Sequence, residues 1–419
     1  VRGVPPNFLF FLPDEHRPDW LGGNPALPLR TPNLDRLAAG GVWFPNAVTP
    51  SPLCAPARAC LASGMDYARC GVPNNTVDFP LDTPTYYQAL RDAGYRVGGV
   101  GKFDLHKATF DWGWDGKRCL DAWGFTDGAD NAGKAIGKWA SPELREPFLA
   151  HLYRRGLAAA HLEDYRGRHS YTGTHPTPLP DDAYCDNWVA AGGLRVLRAF
   201  PAGQPWHLQI NFPGPHPPLD PTRSMSERWA GVDFPQPQDC TVLDPETHVR
   251  IRRNYAALIE NIDRHVGRFL DAVRERGELE NTIVVYSSDH GEMLGDHDLW
   301  GKRSYYQPSV GVPFIASGPG VRRGVRSEAL VSLHDVAATF VDYAGAAPLP
   351  GMDSLSLRPV LEGRSETHRE RVTSAFEGWR MTFDGRFKDV ERDDAPSLRF
   401  DLQRDPQECE RLAPPAATS

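Results

Sequence analysis

The sequence predicts an α/β protein: a doubly wound, mainly parallel sheet flanked by helices, followed by a smaller antiparallel-sheet domain. Three observations carry this. Short apolar runs alternate with capped, amphipathic stretches as far as about Gly345, the pattern of strand–helix–strand units. Three of those runs lead directly into charged residues, as strands do where a site gathers beyond their carboxyl ends. After Gly345 the texture changes: Pro, Asp and Arg become frequent, and "RMTFDGRFKDV" and "SLRFDLQRD" read as antiparallel strands, with a turn at Asp384-Gly385. We therefore expect a large α/β domain over 1–345 and a small α+β subdomain over 346–419.

The first element is Asn7–Leu12, a continuous apolar run closed by Pro13-Asp14-Glu15, which reads as a buried central strand. "TPNLDRLAAGG" (Thr31–Gly41) follows as a helix, with Thr31 as N-cap, Pro32 at the first helical position and paired glycines at the end. "TPTYYQALRDAG" (Thr83–Gly94) has the same grammar and leads into the short strand "YRVGGVGKF", which delivers Lys102. Residues 115–185, rich in Gly, Trp and His, are the least periodic. They read as an insertion over the site, with a helix near Glu143–His161. Tyr255–Gly277 is a long amphipathic helix, and "NTIVVYSSDHGE" is a buried strand ending at Asp289-His290. Asp14, Lys102 and Asp289 thus fall at the ends of strands of one sheet and are expected to share a site.

Composition narrows the function. A net charge of −8 argues against a nucleic-acid binder, which needs a basic face. It leaves room for an anionic substrate, because a local Lys/Arg cluster reverses the field in a cleft. No apolar run reaches the length of a membrane span. "FLFFL" (Phe8–Leu12) is too short for a signal-peptide core. The seven cysteines (54, 60, 70, 119, 185, 240, 409) contain no CxxC zinc pattern. Their odd number favours a reducing compartment, hence the cytoplasm; the periplasm or the exterior are the alternatives if a signal was removed. Nothing in the sequence indicates the oligomeric state.

The chemistry begins with the acidic strand ends. Asp14-Glu15 and Asp289-His290 offer three carboxylates and an imidazole. Either pair alone reads equally well as a solvated strand end. Together on one sheet they read as ligands for a hard divalent cation, Ca²⁺ first, with Mg²⁺ and Mn²⁺ as alternatives. In "SPLCAPARACLASG" (Ser51–Gly64), Pro56 disfavours helix at Ala55, so "ARACLASG" is expected to be helical with Cys54 at its electropositive start. A thiolate nucleophile and a buried structural cysteine both fit that position.

The wider context separates them. Cys54-Ala-Pro-Ala-Arg58 followed by "LASG" resembles the signature of the sulfatase family, within the alkaline phosphatase superfamily. "NFLFFLPDEHRPDWLG" is similar to the family's first metal strand, "NFPGPHPP" to the segment with a catalytic histidine, "NTIVVYSSDHGEMLGDHDLWGK" to the second metal strand and its lysine, and "RFDLQRDPQECERLA" to its C-terminal ending. The resemblance implies that Cys54 is oxidised to formylglycine by a formylglycine-generating enzyme. The aldehyde hydrates to a geminal diol. One hydroxyl, activated on a divalent metal held by Asp14, Glu15, Asp289, His290 and residue 54, attacks the sulfur of a sulfated small molecule or saccharide. The other hydroxyl then loses its proton and sulfate is expelled. By the same resemblance Arg58 anchors the diol, Lys102 and Lys302 bind sulfate oxygens, and His216 protonates the departing alkoxide.

Two segments depart from the family pattern. Where the family often reads G-K-x-H, this chain has "GKFDLH". If that segment is extended, residues 104 and 106 point to one side. His106 would then be the base that expels sulfate, with Asp104 bonding it or meeting a cationic substrate group. Glu15 is longer than the family's usual residue, which bears on its ligation. In "GDHD" (Gly295–Asp298), His297 is expected near the metal strand or facing substrate, or else in a structural role. The expected activity is sulfate-ester hydrolysis. A phosphonate monoester or phosphodiester hydrolase and a non-catalytic anion-binding protein are the alternatives.

Overall fold

The computed structural model describes residues 5–135 and 144–413. Its centre is an eight-stranded sheet built from β1 (Asn7–Phe11), β2 (Val42–Trp43), β4 (Arg96–Gly101), β5 (Asp127–Asp130), β6 (Trp206–Asn211), β7 (Thr282–Tyr286), β8 (Ile315–Ser317) and β9 (Val325–Arg326). The order is β5-β4-β6-β1-β7-β8-β2-β9. The five strands from β5 to β7 are parallel, β8 runs antiparallel to β7 and β2, and β9 is parallel to β2. Two short strands, β3 (Ala47–Val48) and β10 (Val331–Ser332), pair beside it.

β1 explains the two-sided burial. Along a strand successive side chains face opposite ways. Phe8, Phe10 and Leu12 enter one core, with residues of the helices Cys54–Ser63, Tyr86–Asp92 and Asp335–Ala344. Leu9 and Phe11 enter the other, with residues of the helices Cys185–Ala199 and Pro245–Glu275. All five β1 residues are buried, so this stretch is a continuous apolar run and not an alternating one. The fold class expected from the sequence is the one found.

Several boundaries differ from the expected ones. The helix Pro32–Ala39 begins where expected, but Thr31 does not cap it; its hydroxyl meets Gly22 N (2.7 Å) and Asp35 (3.0 Å). The orphan N–H groups of Asn33 and Leu34 donate instead to Asp263 on the long helix. In the next helix the cap is Thr85, in a reciprocal capping box with Gln88. The long helix is Pro245–Glu275, starting ahead of the expected Tyr255, capped by Asp244 with Pro245 in its first turn. The expected helix near Glu143–His161 is two helices, Pro147–Arg154 and Ala158–Gly167, divided where Gly156 turns at φ 69°; Glu143 lies outside the described residues. Part of the expected insertion, β5, is an edge strand of the main sheet.

Past Gly345, β11 (Val372–Phe376), β12 (Trp379–Phe383), β13 (Phe387–Arg392) and β14 (Ala395–Asp401) form a separate antiparallel sheet. Asp384-Gly385 lies in the β12–β13 turn. β11 was not anticipated. The sheet's apolar face (Val372, Met381, Phe383, Val390) shares a core with Met293, Tyr306 and Val310. It thereby backs the segment that carries Lys302.

Candidate active site

The site lies beyond the carboxyl ends of β1, β4, β6 and β7. Ladder-like bonds continue past β1: Leu12 N donates to Ile210 O and Asp14 N to Phe212 O, both 2.9 Å. They carry Asp14 straight off the strand. Past β7, Ser288 Oγ donates to Pro13 O and accepts from His16 N, both 2.9 Å. The two acidic strand ends are thereby tied together.

Cys54 starts its helix three residues earlier than expected, with Ala55 and Pro56 already helical. Pro56 is tolerated because the first turn needs no N–H from it. Leu53, extended at φ −151°, offers no side-chain cap. Asn75 does so from another segment, accepting from Ala55 N at 3.1 Å. Every residue of the helix is buried, so the position of Cys54 is fixed by packing on all sides.

Ligand atoms of Asp14, Cys54, Asp289 and His290 all lie within 4.8 Å of one another, and all four residues are buried. Cys54 Sγ is 3.2 Å from His290 Nε2 and 3.8 Å from Asp14 Oδ1. Arg58 clasps both carboxylates, Nε to Asp289 Oδ2 at 2.9 Å and an Nη to Asp14 Oδ2 at 3.2 Å. Lys102 Nζ also pairs with Asp14. Glu15 belongs to a second group with Asp14 and His216. Its carboxylate meets Lys302 Nζ at 2.7 Å and His216 Nε2 at 3.2 Å.

The electrostatics follow from burial. Burial pushes Asp289 up to about 6, with Arg58 pulling it down and Asp14 pushing it up. Burial likewise lifts Glu15 to about 7 against the pull of Lys302 and His216. His290 goes the other way: burial works against its charge, but Asp289 and the residue-54 sulfur raise it to about 9. For Cys54, burial and Asp14 oppose ionisation, and Lys102, Lys302 and Lys107 outweigh them, holding the thiol well below its ordinary value. Crowded buried carboxylates beside an imidazole and a sulfur form a donor set that fits a divalent cation.

A cavity of about 730 Å³ opens above Cys54. Lys102, His216 and Lys302 line it, and Phe110, Trp112 and Pro213 give it apolar walls. Gly101 (φ 115°) lies so close to Asn211 O that a Cβ would come within 2.0 Å of it. Gly133 (φ 79°) backs the Lys102 chain, which is 2.9 Å from where a Cβ would stand. Only glycine fits at 101, and at 133 any other residue is strained by the positive φ and pushes on the Lys102 chain.

Three expected residues stand away from the cavity. His106 does not share the cavity with Cys54. Asp104 has φ 53°, so the segment is not extended and residues 104 and 106 do not share a side. The His106 ring turns to Asp78 (Nδ1 to Oδ2, 3.5 Å). Asp104 meets neither His106 nor the cavity; it pairs with Lys102 and Lys107. His297 does not face the cavity either. It stacks on Tyr306, with Nε2 at 2.9 Å from Gln407 O, and the structural role is the one its contacts support.

Sequence reasoning missed Asn75 and Lys107, which both line the cavity. Asn75 carries no local signal, since its role depends on a helix start twenty residues away. Lys107 was legible only as one more lysine after "GKFDLH".

This fold brings a nucleophile candidate and a cluster able to hold a cation to one set of strand ends, the arrangement of a hydrolase, and the family match places it in the alkaline phosphatase superfamily. Residues 6–346 match the family model described as Sulfatase, and the chain belongs to the sulfatase family as one of its enzymes. It is 28% identical over 394 residues to an arylsulfatase of Clostridium perfringens (88% of this chain, 80% of that protein). It is 27% identical over 455 residues to a choline-sulfatase of Rhizobium meliloti (97% and 82%). Its fold matches the crystal structure of a phosphonate monoester hydrolase of Agrobacterium radiobacter, with TM-score 0.82, 24% identity and coverage of 97% and 91% of the two chains.

Proposed function

We propose that the protein hydrolyses sulfate esters by S–O cleavage, with residue 54 acting as formylglycine. The observation that carries this is the position of Cys54: at a helix start, with its sulfur among Asp14, Asp289 and His290, below a cavity lined by lysines. C-A-P-A-R supports oxidation of Cys54 by a formylglycine-generating enzyme. The hydrated aldehyde would supply one hydroxyl to attack sulfur and a second whose deprotonation releases sulfate. Asp14, Asp289, His290 and residue 54 would hold the divalent cation, taken as Ca²⁺, whose chemistry is Lewis-acid activation of that hydroxyl. Glu15, already paired with Lys302, is the outlying candidate ligand.

The chain's own residues do the rest. Arg58 spans Asp14 and Asp289 and keeps the two carboxylates in register beneath residue 54. Lys102 and Lys302 offer ammonium groups to the anionic oxygens as charge shifts in the transition state. His216 acts as an acid in its doubly protonated form: Nδ1–H is held by Pro217 O, and the proton on Nε2, beside Glu15, is the one that passes to the leaving oxygen. The apolar walls of the cavity take the alcohol portion of a small molecule or saccharide.

The test uses matured protein and paired esters of one alcohol. A higher kcat/KM for the sulfate than for the phosphonate or phosphate diester is the expected result. The reverse order would replace this reading with a phosphonate or phosphodiester hydrolase on the same scaffold. No turnover of any ester by protein with the aldehyde and bound metal would leave a non-catalytic anion-binding protein.

A further inference from the structure

We propose that Lys107, held by Asp104, is a third ammonium group of the substrate cavity and binds the anionic oxygens of the ester; this rests on the reading above that the cavity takes an anionic ester. Lys107 lines the cavity with Cys54, Lys102 and Lys302. The left-handed turn at Asp104 brings this about: with φ 53° there, His106 swings to Asp78 and Lys107 returns to the cavity wall. The Asp104 side chain is fully buried, and one oxygen, Oδ2, serves two ammonium groups, Lys102 Nζ at 3.0 Å and Lys107 Nζ at 2.7 Å. Its other oxygen, Oδ1, is buried and has no partner among the described residues.

That arrangement goes beyond neutralising a carboxylate. Asp104 divides one oxygen between Lys107 and Lys102, and Lys102 also pairs with Asp14, so Lys107 meets only a shared carboxylate and keeps capacity for an anion at the cavity. Asp104 occupies one of the three donors of Lys107 and leaves the others for a ligand. A lysine chain otherwise carries a large rotamer entropy; fixing it in advance lowers the cost of ordering it on an anion. Asp104 is therefore a positioning residue.

The experiment uses the full, metal-loaded protein and two probes, inorganic sulfate by calorimetry and para-nitrophenyl sulfate by turnover. Lys107→Met should weaken sulfate binding about 10- to 100-fold, the range for a hydrogen bond to a charged group. Its thermal midpoint should fall only modestly, because Lys102 still pairs the buried Asp104 carboxylate, and Lys107→Arg should recover most of the affinity. Asp104→Asn should change sulfate affinity by a larger factor in the native background than in Lys107→Met; equal factors would overturn the positioning role. Unchanged binding in Lys107→Met overturns the assignment. So does a loss that comes with a large fall in midpoint and that Lys107→Arg does not restore. If no sulfate ester is turned over but sulfate binding still depends on Lys107, the proposed function fails and the lysine assignment stands.

Discussion

His216 is the residue whose chemistry can be isolated most cleanly. It is part-exposed at the cavity, one nitrogen faces a carbonyl, and the other faces Glu15. His216→Ala should lose rate in proportion to the basicity of the departing alkoxide, because a poor leaving group needs the proton most. Over a series of aryl sulfates, the deficit should be large for phenols of high pKa and shrink for acidic nitrophenols. A deficit of constant size across the series would remove His216 from proton donation. At this scale the residues legible in the sequence were those tied to strand ends or to the helix start: Asp14, Asp289, His290 and Cys54 come together as expected. Residues placed by loop dihedrals were not legible. The alternation argument for His106 assumed an extended chain, and a single left-handed residue at Asp104 undid it. Asn75 and Gly133 act on partners distant in sequence, which no local pattern encodes.

Among the elements, β6 carries a feature with a pH consequence. His207 is fully buried between Phe8, Tyr86, Tyr87 and Phe340, and burial holds it down at about 3, from 6.5. Above 6.5 the ring is neutral in folded and unfolded chains alike, and the site makes no difference. As pH falls below 6.5 the unfolded chain takes up a proton that the folded chain refuses, so stability is lost progressively down to about 3. At pH 5 this amounts to about 2 kcal/mol. Urea unfolding at pH 7 and pH 5 should show His207→Phe losing less stability on acidification than the native chain, by roughly that amount. Equal losses would mean that His207 is not the proton-refusing group. Element identity was legible where burial is two-sided and long, as in β1, β7 and the Pro245–Glu275 helix. Ends were not, because caps came from afar: Asp263 serves the Pro32 helix and Asn75 the Cys54 helix. β11 was hidden because only three of its five residues are buried, and of these Val372 joins a core that other segments complete.

For the molecule as a whole, the parallel sheet and the small antiparallel sheet bring remote segments to one point: strand ends from positions 14 and 289, a helix start at 54, and the Lys302 segment backed by β12 and β13. The central claim is that this point works through the aldehyde form of residue 54. Protein made with graded amounts of a formylglycine-generating enzyme should span a range of aldehyde content at position 54, readable by mass spectrometry of the Cys54 peptide. Turnover of para-nitrophenyl sulfate by each batch, with metal saturating, should rise in proportion to that content and extrapolate to zero for the pure thiol. Full turnover by protein whose residue 54 is entirely cysteine would contradict the claim.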